Sequence, residues 1–120
     1  MIEPISGLPD NVIAVDCTGQ VTRADYEKVL IPLVDSKLKI YEKVRLFYRA
    51  GAGFEGIDIG AMYEDAKVGF GHLRQWERAA VVTDIEWIRL AMKGFGFLMP
   101  CPFKVFSLVQ EPDARHWIAD

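Results

Sequence analysis

Residues 43–56 read KVRLFYRAGAGFEG, an apolar run followed at once by Gly-x-Gly-x-x-Gly. The run Val44–Tyr48 has the near-continuous apolar character of a strand covered on both faces, which is how parallel strands read. Gly51, Gly53 and Gly56 stand where a dinucleotide-binding turn would present a pyrophosphate to the start of the next helix. The charges are wrong for that role. Glu55 lies inside the fingerprint and Asp58 at the helix start. Two unit charges ~4 Å apart at an effective dielectric of about 20 repel by ~4 kcal/mol, more than a helix dipole returns. Phe54 adds bulk where backbone must approach phosphate. The first acid after the next strand, Asp84, lies well beyond the ~20-residue spacing of a ribose-binding acid. The stretch is therefore expected to be a loop whose glycines supply tight turns or positive φ, with no nucleotide cofactor.

Outward from this point the apolar period alternates between two kinds. "MIEPIS" and "NVIAVDC" are extended runs around the turn residues Gly7, Pro9 and Asp10, and read as an antiparallel pair. "VTRADYEKVLIPLVDSKLKIY" switches to helical spacing, with Tyr26, Val29, Leu30, Leu33, Val34 and Leu38 on one face. Thr22 and Asp25 form a weak capping box, and Pro32 predicts a kink near residues 28–31. Ile59, Met62, Ala66, Phe70 and Leu73 predict a second helix over residues 58–73, facing the core. "RAAVV" is another buried strand. "TDIEWIRLAMKGF" opens with Thr83 and Glu86 at capping-box spacing and predicts a third helix. "FKVFSLV" is a further core strand, and "PDARHWIA" a terminal helix with Pro112 in its first turn. The order predicts a single α/β domain over residues 1–120. Its sheet is five-stranded and mostly parallel, the first strand antiparallel, with about four helices on its faces.

Composition excludes several function classes. The 120 residues carry 14 basic and 17 acidic side chains, a net charge of −3, so no basic excess marks a nucleic-acid binder. "MIEPISGLPDN" lacks the basic and apolar runs of a signal peptide. No segment approaches the ~18 apolar residues that span a bilayer, so a cytoplasmic location, at most peripheral to a membrane, is expected. Cys17 and Cys101 read as unpaired thiols. There is no Cys-x-x-Cys, and His72 and His116 lack ligand spacing, so no metal is expected. None of Ser6, Ser36 and Ser107 sits in a nucleophile elbow. Glu64 and Asp65 are adjacent on a helix, hence about 100° apart, and read as a solvated face rather than an acid/base pair. No catalytic residue is assigned.

"GLPDNVIAVDCTGQVTRADYEKVLIPLV", "GFEGIDIGAMYEDAKVGFGHLRQWERAAVVTDIEWIR" and "GFGFLMPCPFKVF" resemble the SpoIIAA-like family of small bacterial proteins across essentially the whole chain. That family is similar in fold to STAS domains and more distantly to CRAL-TRIO lipid-binding domains. The resemblance implies the same α/β sandwich. It implies no activity. STAS antagonists of anti-sigma factors carry a phosphorylatable serine at the start of the helix after a core strand. The matching "EGIDIGAM" has none, and residues 49–82 contain no Ser or Thr at all, which excludes that switch. Glu55 and Asp58 remain as a STAS-like partner surface, Asp58 also serving as a helix cap.

The lipid-binding likeness rests on residues 83–99. Glu86, Arg89 and Lys93 share one helical face, with Trp87, Ile88, Leu90, Ala91, Met92 and Phe95 around the rest, and "GFGFLMPCPF" follows without a charge. Such a helix serves as core packing, as a dimer contact, or as an interfacial segment whose Gly94 and Gly96 act as a hinge. The leading expectation is a non-enzymatic binding module for a lipophilic small molecule or a membrane surface. Its candidate site is Trp87, Leu90, Met92, Phe95, Phe97, Leu98 and Met99, its partners a lipid or other lipophile and a second copy of the chain. The alternative is a phosphorylation-independent STAS-like interaction regulator. An enzyme using Glu64, Asp65 or His72 ranks third.

Overall fold

In the computed structural model, which describes residues 1–72 and 74–120 and the side chains of all these except 69 and 70, five strands form one sheet in the order β1-β2-β3-β4-β5. Strand β1 (Ile2–Pro4) runs antiparallel to β2 (Val12–Val21); β3 (Val44–Ile57), β4 (Trp76–Thr83) and β5 (Phe103–Phe106) continue the sheet in parallel. Each parallel strand is added at the same edge. With right-handed crossovers, that order puts every crossover helix on one face of the sheet. The helices of that face are a short α1 (Arg23–Asp25) running through a π-helical segment (Tyr26–Leu30) into α2 (Ile31–Leu38), then α3 (Ile59–Gly71) and α4 (Glu86–Gly96). Among the described residues α5 (Glu111–Ala119), entered through a 3-10 turn at Leu108–Gln110, is the one helix on the opposite face.

Strand alternation divides the core accordingly. Ile13, Val15 and Cys17 of β2 and Val44 of β3 point toward the crossover helices, where they meet Tyr26, Leu30 and Val34. Val12, Ala14, Phe47, Ala80 and Val82 point the other way, onto Ala114 and Ile118 of α5. Arg49 fastens α5 down, pairing with Asp16 at 3.0 Å and Glu111 at 2.7 Å. Gly51 makes room for it, since a Cβ there would stand 2.6 Å from the guanidinium.

Three expectations need correction. The glycine stretch is no loop: β3 continues in extended conformation through Ile57, and among the described residues only Gly7 and Gly19 have positive φ. Gly19, Gln20 and Val21 pair with Phe54, Gly56 and Ile57 across two register shifts, which makes the stretch an irregular continuation of the strand. The Thr83–Glu86 capping box does not form either. Helix α4 begins at Glu86 after an extended Ile85, and Thr83 ends β4, its Oγ1 accepting the Ile85 N–H at 3.2 Å. Asp84 is held outside the helix because its Oδ1 accepts the Leu108 N–H at 2.9 Å. Finally, α3 is rotated relative to the apolar stripe. Ile59 is 85% exposed, whereas Ala61 and Glu64 are buried. The Leu73 end of that predicted helix and the side chain of Phe70 lie outside the described residues.

A π-helical segment stands just before Pro32, where a kink was expected, and the Thr22–Asp25 capping box is formed. Asp58 caps α3, Oδ1 accepting the Ala61 N–H at 2.7 Å. Among the described residues no helix is long and apolar enough to cross a membrane.

Candidate functional site

The three crossover helices do not close over the sheet. Helix α3 packs on α1 and the π segment, whereas α4 packs on β4 and β5. Between them lies a cavity of about 300 Å³. Leu46, Ala79 and Val81 of the sheet form its floor, with Val68 of α3 and Ile88 and Met92 of α4 as walls. At the mouth Met62 and Trp87 are each about half exposed, and the Trp87 ring lies 6.4 Å from that of Phe54. At the far end of α4, Gly96 lets helix and strand close together, because a Cβ there would sit 3.1 Å from the Phe103 ring.

One polar cluster interrupts this apolar lining. The Tyr26 hydroxyl donates to Asp65 Oδ1 at 2.8 Å and lies 2.9 Å from the Tyr48 hydroxyl. A phenol has one proton, so with Tyr26 committed to Asp65 the Tyr48 hydroxyl donates to Tyr26. Tyr48 also meets the buried Cys17 thiol. Burial pushes Cys17 up to about 12 and raises both tyrosines, so thiol and phenols stay protonated. Burial also raises the Asp65 carboxyl, against the pull of the Tyr26 hydrogen bond. Asp65 is half-buried and lines the cavity.

The solvated-face reading of Glu64 and Asp65 is thus overturned. Glu64 is 3% exposed and pairs with Arg23 at 3.2 Å and Lys67 at 3.7 Å, while Asp65 turns into the cavity. Arg23 and Tyr26, from a helical segment more than thirty residues earlier, meet Glu64 and Asp65 and turn this acidic face inward. His72 bonds locally to Gln75, Nδ1 to Oε1 at 2.8 Å, away from this cluster.

Of the residues singled out in the sequence, Trp87, Met92, Phe95 and Met99 line the cavity. Leu90, Phe97 and Leu98 point outward, Phe97 being 92% exposed. Arg89 is not a free surface cation, since its Nη1 donates to the Thr83 carbonyl at 2.9 Å. Glu55 is exposed and Asp58 is engaged as the α3 cap. Tyr26, Tyr48, Phe54 and Trp76 were not read as site residues, though all line the cavity, and Asp65, which also lines it, was named only in the third-ranked enzyme reading. The tyrosines were hidden in apolar stripes that read as core. The one available signal was a tyrosine hydroxyl in each stripe, since a buried phenol needs a hydrogen-bond partner.

The SpoIIAA-like family model matches residues 12–119. A solved structure of an uncharacterised protein of the DUF3478 family from Shewanella loihica PV-4, described as having a SpoIIAA-like fold, is similar over 98% of this chain and 93% of that one. The identity is 23% and the TM-score 0.72, which carries the fold alone. No curated protein matches the chain. A family model reaching from β2 to the end of α5, on a mixed sheet with β1 antiparallel and the rest parallel, leaves one assignment: this chain belongs to the SpoIIAA-like family.

Proposed function

We propose that this protein is a non-enzymatic binding module that takes up a small lipophilic molecule in the cavity between α3, α4 and the sheet. The carrying observation is the cavity itself: about 300 Å³, walled by aliphatic and aromatic side chains around one polar cluster. That is the form of small-molecule sites in general. Size narrows the occupant. A 150 Å³ apolar cavity holds benzene, so this volume suits about a dozen non-hydrogen atoms, a medium-chain or bicyclic molecule rather than an intact phospholipid. The SpoIIAA-like fold itself suggests a regulatory or interaction module rather than an enzyme.

Native mass spectrometry of protein purified without detergent, followed by titration with the fluorescent dye 1-naphthylamine, which is small enough for this volume, tests the reading. A retained small adduct, or saturable dye fluorescence at one site per chain, is expected. A bare mass together with no dye binding overturns it. The exposed Leu90, Phe97 and Leu98 favour a second reading, a STAS-like surface that meets a protein partner or another copy, and the same spectrum reads the oligomeric state.

A further inference from the structure

If the cavity is a lipophile site, as proposed above, its polar end dictates the head group. The hydrogen bonds of the cluster run in one direction. Tyr48 gives its proton to Tyr26 and Tyr26 gives its own to Asp65 Oδ1, so neither phenol has a donor left for a ligand. The second carboxyl oxygen, Oδ2, has no hydrogen-bond partner among the described residues, and Asp65 lines the cavity. The lining also holds an unpartnered donor, Trp76 Nε1, but that atom is buried out of contact with solvent. What the site offers a ligand is the Asp65 acceptor.

Charge narrows the choice further. Among the described residues no Lys, Arg or His lines the cavity. The titratable groups facing Asp65 are Tyr26 from the π segment and Tyr48 from β3, with Cys17 of β2 behind Tyr48. A carboxylate or phosphate would meet an acid and no counter-ion. An ammonium would bring three donors to a single acceptor and leave two unsatisfied in an apolar space. A hydroxyl brings one donor. It can also accept, so it suits Asp65 in either protonation state.

We propose that the cavity selects a neutral lipophile of about a dozen non-hydrogen atoms bearing a hydroxyl that donates to Asp65 Oδ2, and discriminates against the corresponding carboxylate. Burial without a nearby cation, which raises the carboxyl, acts in the same direction by disfavouring a second negative charge.

The test displaces bound 1-naphthylamine from the chain at pH 8 with 1-decanol and with decanoate, two probes of matched chain length. Decanol is expected to compete at least tenfold more strongly. In Asp65→Asn, whose amide offers a donor where the carboxyl oxygen stood, the ratio should fall to about threefold or less. Equal or stronger competition by decanoate in the unmodified chain overturns the head-group assignment, and that arm needs no variant to fold. A tenfold preference that survives in folded Asp65→Asn overturns the role of Asp65. Dye that binds and is displaced equally by both probes defeats this inference alone. Absence of dye, decanol and decanoate binding defeats the cavity reading with it.

Discussion

Ala79→Val separates a real cavity from a packed core by the sign of one number. Ala79 is buried, pairs with Leu46 on β3 and Phe103 on β5, and lines the cavity floor. Valine adds two carbons there. At about 0.8 kcal/mol per buried methylene they contribute ~1.6 kcal/mol, less roughly 0.5 kcal/mol for the restricted side chain. A stabilisation of about 1 kcal/mol follows, and valine also suits a central strand. For a chain of 120 residues this raises Tm by about 4 °C. In a close-packed core the same change would cost ~1–3 kcal/mol through overpacking. Urea melts of ligand-free protein give the sign, because a retained ligand would stabilise the unmodified chain by mass action and mask the gain. Dye titration of the same preparations should show weakened binding in the variant. Destabilisation by 1 kcal/mol or more, with dye affinity unchanged, would refute the reasoning.

Asp65→Asn should alter the pH dependence of stability. Burial raises the folded-state carboxyl above its unfolded value, so its contribution is complete below about pH 3.9 and is lost as pH rises through the folded value. The variant should therefore gain on the unmodified chain as pH increases from 4, and parallel profiles would count against a buried carboxyl. Tyr26→Phe strands both Asp65 and the Tyr48 hydroxyl and should cost about 1–3 kcal/mol in urea melts. A near-neutral result would mean that the cluster is already hydrated. Thr83→Ala removes the buried acceptor of the Ile85 N–H and should cost about 1 kcal/mol, through that bond and not through a helix cap. Unchanged melts would show that water replaces it.

Strands and helices were legible wherever one local period held. Val44–Tyr48, Ala79–Val82 and the Tyr26, Leu30 and Val34 stripe all lie where alternation or helical spacing predicts. The misses share one cause, a partner remote in sequence. Residues 51–57 look like a turn in isolation, and only Gly19–Val21 alongside makes them strand. Thr83 has the spacing of a cap, but the Leu108 N–H holds Asp84 extended and moves the helix start to Glu86. Glu64 and Asp65 resemble solvent residues until Arg23 and Tyr26 are placed opposite them. The candidate site was half legible for the same reason. Its apolar wall on α4 shows as a Trp-bearing stripe, whereas its polar end is assembled from β2, the π segment, β3 and α3 and has no linear signature.

Helix α5 on the second face also sets a timetable for synthesis. Every crossover helix is translated between the strands it bridges, so the cavity face can be covered as it is made. The other face, with Val12, Ala14, Phe47, Ala80 and Val82, waits for α5. At ~5–20 residues per second, the span from Thr83 to Ala119 keeps these side chains uncovered for roughly 2–7 s after β4 is complete. During that interval the nascent sheet carries an apolar face that an early chaperone or a neighbouring nascent chain can reach. The Arg49–Glu111 ion pair forms only when α5 docks, and its closure marks the end of that exposure.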